Sequence, residues 1–430
     1  MQTLRRFSLC LLALGLAGCA APTSAPMSSS ADDGRSGVYL QDNALQCADR
    51  DGFLAVGHTF TLNSLEGAAF HSPDQGLTWV PAAIEGEASG ISLGVVTLPD
   101  GSGQPQRLLT GYQTGSRLLA RMGSQYALPG GPWWTSADEG LTWRRTQARL
   151  PMPTGRGFGQ TVPQVFEMQH GHTLLALAQG AEHTAVLRST DGGTQWDSIP
   201  LPQVVRLQSV VANRNGLVMA AGLGELPFFG PQEHFVVSSV NAGQSWRVAK
   251  SPLPLRLYLT PSGSALAYHL NQLKYGRTLL YSSPDSGLIW VLTADVDGAG
   301  RVISMAGDLK GRVIAITEYG HVLLSDDDGA TWRHQGKAIE GDFRFPLQRQ
   351  MLFFENGTAL AIIGNGVIIR STDRGNTWQP VARSLPEASG ANVLCSNGSG
   401  LILAMGGWTV LRSMDWGESW VPGRFDLPGR

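Results

Sequence analysis

RSTDRGNTW, residues 370 to 378, places Ser371, Asp373 and Gly375 at two-residue intervals ahead of Thr377 and Trp378. Asp373 can accept hydrogen bonds from backbone N–H groups of its own turn, and Ser371 can do the same more weakly. Gly375 permits positive φ, and Trp378 offers a large apolar face to cover the turn. The stretch recurs as HSPDQGLTW (71–79), TSADEGLTW (135–143), RSTDGGTQW (188–196), SSVNAGQSW (238–246), SSPDSGLIW (282–290), LSDDDGATW (324–332) and RSMDWGESW (412–420). These boxes use eight of the twelve tryptophans, at spacings of 42 to 64 residues.

That period is the length of one four-stranded propeller blade. Ahead of each box lies an apolar run broken by a tight turn, as in NRNGLVMAA, GDLKGRVIAI and SNGSGLILAM, which reads as a hairpin of the first two strands. A third strand leads into the box, and WVP, WRR or WRV begins a fourth. Eight hairpins in phase with eight boxes predict an all-β, eight-bladed β-propeller with four-stranded antiparallel blades and the box between the third and fourth strands. Seven blades with one degenerate unit is the alternative.

The boxes resemble those of the Asp-box (BNR) repeat superfamily, which includes sialidases, sortilin-type receptors and the photosystem II assembly and stability factors. The resemblance spans roughly residues 38–425. It implies that the box is structural, and that this role falls on Asp74, Asp138, Asp191, Asn241, Asp285, Asp327, Asp373 and Asp415. Asn241 replaces Asp and Ile289 replaces Thr, so weaker staples are expected in the fourth and fifth boxes, with their blades intact.

Composition agrees with a turn-rich β protein: 54 glycines exceed the usual share, and 15% charged residues fall below it. A net charge of −2 supplies no global basic field, which argues against nucleic acid and against an electrostatically held membrane. Arg5 and Arg6 precede an apolar run from Phe7 to Leu16 that suits a signal-peptide core and is too short to span a bilayer. It ends in Leu16-Ala17-Gly18-Cys19, which resembles the bacterial lipoprotein lipobox. That resemblance implies cleavage after residue 18, lipidation of Cys19 and, with Ala20 following, sorting to the outer membrane. Residues 19–36 then read as a lipidated cysteine and flexible tether, and 37–430 as the propeller.

Chemistry is expected on one face. Hairpin turns and boxes share one end of the blades, and the long insertions all fall at the other: Thr59 to Glu66, Tyr112 to Trp134, Leu223 to Glu233 and Leu270 to Arg277. Elaborated loops on a rigid scaffold are where binding usually lives. Arg206, Arg256, Arg301 and Arg349 precede or open the innermost strands there, and they form either an anion-seeking ring or local pairs with carboxylates such as Glu340 or Asp342. Arg144, Arg145, Arg149 and Arg156 in the link between the second and third blades, with Trp133, Trp134, Phe228 and Phe229 in neighbouring loops, make an interface-like composition. With the resemblance closest to the photosystem assembly-factor-like members of the superfamily, the chain is expected to be a non-catalytic platform, monomeric and cofactor-free, that captures a protein or anionic partner in the cell envelope on this face.

The enzymatic alternative is a sialidase-type glycosidase. Phe343-Arg344-Phe345-Pro346 resembles the sialidase Phe/Tyr-Arg-Ile-Pro motif, whose arginine binds the substrate carboxylate, but it follows the sixth box instead of preceding the first. No local pattern marks the carboxylate pair that a glycosidase needs. The four cysteines and nine histidines show no metal-ligand spacing. Cys47 and Cys395 occupy matching places in the first and last hairpins, so a disulfide could clasp the ring, provided the two Cα atoms lie within about 7 Å.

Overall fold

A computed structural model describes residues 37–47, 53–60, 65–85, 91–99, 105–113, 133–136, 141–146, 165–168, 173–179, 184–190, 195–201, 206–213, 215–224, 232–251, 253–269, 276–339, 350–363, 366–381, 393–406 and 409–426. Their strands fall into eight antiparallel sheets of four strands in sequential order, two of which gain a fifth, parallel strand. The fourth sheet, for example, comprises Arg206–Ala212, Val218–Leu223, His234–Ser239 and Arg247–Ser251.

Hydropathy along each strand follows its place in the sheet. Second strands such as Val218–Leu223, Val313–Thr317 and Ala359–Ile363 are buried at every residue, because both of their faces meet a neighbouring sheet. Fourth strands such as Arg333–Lys337 form the exposed edge and carry the charge. The cores therefore lie between sheets. Leu175, Val186, Val218, Ala220 and Val237 fill the gap from third to fourth sheet, and Ile314, Ile316, Ala359, Ala361 and Ile369 fill that from sixth to seventh.

The first and last sheets adjoin. Arg424–Phe425, just past the eighth sheet, pairs in parallel with the outer strand Thr78–Pro81 of the first, and Phe425 lies 6.0 Å from the ring of Trp79 and 5.2 Å from that of Phe70. The same device joins the first sheet to the second, where Ala83–Ile84 pairs in parallel with Thr142–Thr146. At these two junctions the departing segment extends the next sheet's edge, and the final one returns to the beginning.

Candidate functional site

The recurring box is the best-defined unit in the molecule. In the seventh sheet, Ser371 Oγ donates to Asp373 Oδ1 (2.8 Å), and the Gly375 N–H donates back to Ser371 Oγ (2.8 Å). Thr377 donates through its N–H to Oδ1 (2.9 Å) and through Oγ1 to Oδ2 (2.7 Å), while Trp378 Nε1 donates to the Gly375 carbonyl (3.0 Å). The first, sixth and eighth boxes repeat this set. Burial pushes the Asp373 carboxyl up, but the backbone N–H of Thr377, its hydroxyl and the Ser371 hydroxyl outweigh that and hold it below the usual carboxylate value.

The two irregular boxes differ from one another. Asn241 loses no bond: its Oδ1 accepts from Ser239 Oγ and the Ser245 N–H, and its Nδ2 donates to Ser245 Oγ at 2.9 Å. There the amide replaces an accepted bond with a donated one, so the number of bonds is kept while the carboxylate's charge is lost. The fifth box makes fewer bonds. Ile289 supplies no hydroxyl and is exposed, and Trp290 Nε1 has no hydrogen-bond partner among the described residues. Asp138 and Asp191 lie outside the described residues.

Two features of the box escape sequence reading. In the six boxes whose turns are described, the residue before the box glycine is itself left-handed: Gln75, Ala242, Ser286, Asp328, Arg374 and Trp416 have φ of 53° to 62°. Four of them, Ala242, Asp328, Arg374 and Trp416, donate their N–H to hairpin-turn glycines of the same sheet, Gly216, Gly311, Gly357 and Gly400, so box and hairpin turn share one end of the sheet. In addition, the preceding sheet grips the box. Arg188, Arg312 and Arg370 donate through Nε to the carbonyls of Ala242, Arg374 and Trp416 at 3.0, 2.9 and 2.9 Å. The box glycines abut the preceding second strand: a Cβ on Gly375 would stand 2.7 Å from Ile314 Cδ1, and one on Gly76 would strike Leu403 of the eighth sheet. The box is therefore an inter-sheet joint as well as a turn, and its carboxylates are consumed in it.

The opposite strand ends gather the predicted arginines of the fourth to sixth sheets. Arg206 opens its strand opposite Leu223, and Arg256 lies opposite Tyr268. Arg301 immediately precedes Val302–Gly307. Their environments differ. Arg301 donates through N and Nε to Glu318 at 3.0 Å and is largely buried with it, so its charge is matched by Glu318, whereas the Glu340 and Asp342 named from sequence lie outside the described residues. Arg256 bonds the buried Tyr268 hydroxyl; burial raises that phenol's pKa and the arginine pulls it back. Arg206 is exposed.

Around them lie polar atoms that sequence reasoning missed. Gln208 occupies a bulge between Leu207 and Ser209, and its Oε1 is buried without a partner among the described residues. The same holds for Nδ1 of His234, which opens the third strand of the fourth sheet, and of His269, which ends the second strand of the fifth. Burial lowers both histidine pKa values, and for His269 the neighbouring His234 adds to it. Their only signal in the sequence is position: each stands where a strand meets one of the long insertions.

Other predicted contact residues are placed differently. Trp133 and Trp134 lie in the third strand of the second sheet and not in a loop, and Arg144 and Arg145 lie in its outer strand and not in the link beyond. Arg149, Arg156, Phe228, Phe229, Arg344, Arg349 and Cys19 lie outside the described residues. Cys395 is disulfide-bonded, and its strand Val393–Ser396 packs against Gly37–Cys47 of the first sheet.

No family model matches this chain, and no curated protein matches it. Among solved structures it is similar to YCF48 bound to D1 peptide, at 15% identity and a TM-score of 0.46, over 78% of this chain and 97% of that one. YCF48 from Cyanidioschyzon merolae gives 15% and 0.45, over 78% and 95%. A polysaccharide lyase of family PL25, an ulvan lyase, gives 11% and 0.43, over 81% and 98%. These neighbours are β-propellers, and the likeness is one of fold class.

Proposed function

We propose that this chain is an eight-bladed Asp-box β-propeller, held by lipidated Cys19 at a bacterial outer membrane. In this reading it acts as a monomeric, non-catalytic platform that captures a protein partner at the strand ends opposite the boxes. One observation carries the reading: exposed Arg206 and the buried atoms of Gln208, His234 and His269 that have no partner among the described residues lie at that end. The box carboxylates at the other end are already committed to their own turns. Buried polar atoms without partners are costly unless something else pairs with them, and exposed arginine beside them suits an acidic or hydrogen-bonding surface. The disulfide of Cys395 is assigned to Cys47, because the strands that carry them are adjacent. It would clasp the first sheet to the last.

The test is affinity capture from detergent-solubilised envelope with the full chain as bait, read by mass spectrometry and repeated with Arg206→Ala and Arg256→Ala. A specific partner should be lost from both variants and weakened by added salt, since about 0.15 M salt screens exposed charges beyond roughly 8 Å. Capture that is unchanged in both variants would refute the assignment of this face. Palmitate labelling that is present in wild type and absent from Cys19→Ser checks the anchor.

A further inference from the structure

The sixth sheet carries a histidine pair that the platform reading leaves unused. His321 opens the strand His321–Ser325, and His334 lies in the adjoining outer strand Arg333–Lys337. Nδ1 of His321 is 2.9 Å from Nε2 of His334, with ring centroids 5.0 Å apart and planes inclined by 34°.

This meeting is produced by a bulge. Val322 pairs with Gly336 but Leu323 pairs with His334, so Gln335 is an extra residue, and Gly336 takes φ of 90° beside it. Side chains alternate along a strand, and a one-residue slip sends each to the other face. His321 shares a face with its direct partner Lys337, and in a regular ladder Gln335 would be the next residue on that face. The bulge puts His334 there instead. Bulges of this kind cost ladder bonds and are known for re-aiming side chains.

We propose that His321 and His334 form a bidentate site for a divalent transition-metal ion of the imidazole-preferring class: Cu²⁺, Ni²⁺ or Zn²⁺. With metal–nitrogen bonds of about 2.0–2.1 Å, two ligands at a right angle hold their nitrogens about 2.9 Å apart, and two at a tetrahedral angle about 3.3 Å. The observed separation matches the right-angle bite, which suits Cu²⁺ or Ni²⁺ best and Zn²⁺ with a small opening of the rings. Each neutral imidazole keeps one N–H. The proton lying between the rings moves to the far nitrogen of the ring that holds it, so both lone pairs face the ion and no proton leaves the pair. His334 is exposed, so an ion reaches the pair directly from solvent. Among the described residues no group of three or more His, Cys, Asp or Glu could hold a metal ion, so water or a solution anion completes the coordination. Lys337, beside the pair, repels the ion and limits its affinity.

The test is titration of the full chain with CuCl₂ in a non-chelating buffer near pH 7.5, read by calorimetry and by electron paramagnetic resonance, with MgCl₂ as the control. One saturable Cu²⁺ site with nitrogen ligation is expected, and Mg²⁺ should not compete for it. His321→Ala and His334→Ala should each weaken it by about tenfold or more. Lys337→Ala should tighten it several-fold, an effect that loss of folding would not produce. A wild type with no saturable Cu²⁺ site, or a tight site unchanged in both histidine variants, overturns the proposal.

Discussion

The joint between sheets can be tested by adding one methyl group in two places. Gly375 and Gly398 both have positive φ, 85° and 77°, so alanine at either meets the left-handed penalty of about 1–2 kcal/mol. Only at Gly375 is the new Cβ obstructed. It would lie 2.7 Å from Ile314 Cδ1, 3.1 Å from Ile314 Cγ1 and 3.3 Å from Leu324 Cδ2, whereas at Gly398 nothing stands within 4 Å. Ile314 and Leu324 are 0% and 1% exposed, so neither can swing away without disturbing the core between the sixth and seventh sheets. Overpacking of that kind adds about 1–3 kcal/mol. Gly375→Ala should therefore cost about 2–5 kcal/mol in total, against about 1–2 for Gly398→Ala. Urea unfolding followed by far-ultraviolet circular dichroism would read this as a lower midpoint at unchanged slope. Ile314→Val removes the obstructing Cδ1 and alone costs about 0.5–1.5 kcal/mol. Combined with Gly375→Ala, it should cost less than the sum of the two, by about 1 kcal/mol. Equal losses at the two glycines, or strict additivity of the pair, would refute the claim that the box glycine is demanded by the neighbouring sheet.

Asp373→Asn should be mild and Asp373→Ala costly, by about 1–3 kcal/mol for the donors left unpaired, because the Asn241 box already shows an amide making the full set of bonds; equal melting shifts would contradict this. Asp74, Asp285, Asp327, Asp373 and Asp415 all have lowered pKa values, so their contribution is present above the ordinary carboxylate value of 3.8 and is lost as pH falls below it through the folded values. Melting temperature should accordingly hold from neutral pH to about 4 and fall more steeply below it than in a variant with several boxes carrying Asn. Thiol titration of the unreduced, denatured chain should find Cys47 and Cys395 both blocked, and Cys47→Ser should expose one thiol at Cys395; two reactive thiols in wild type would contradict the assigned pairing.

The sequence by itself determined the parts of this protein that depend on neighbours in the chain. A Ser, Asp or Asn, Gly and Trp within nine residues satisfy one another's hydrogen bonds, so the turn, its place between third and fourth strands, and its eightfold recurrence were all legible. What joins one repeat to the next was not. The contacts of Arg188, Arg312 and Arg370 with boxes 46 to 62 residues away depend on how sheets stack, and no local pattern encodes that distance. The left-handed turn at ordinary residues such as Ala242 and Arg374 was hidden for the same reason: it is imposed by bonds to the hairpin turn and by the preceding sheet, against the residues' own preference. At the opposite end, position alone brought Arg206, Arg256 and Arg301 together, but only the packed structure decided that Glu318 occupies Arg301 while Gln208, His234 and His269 keep atoms without a partner among the described residues. The pairing of His321 with His334 rests on a single inserted residue in an edge strand. Register is a tertiary quantity, set where two strands meet, and it decided which side chain faced which.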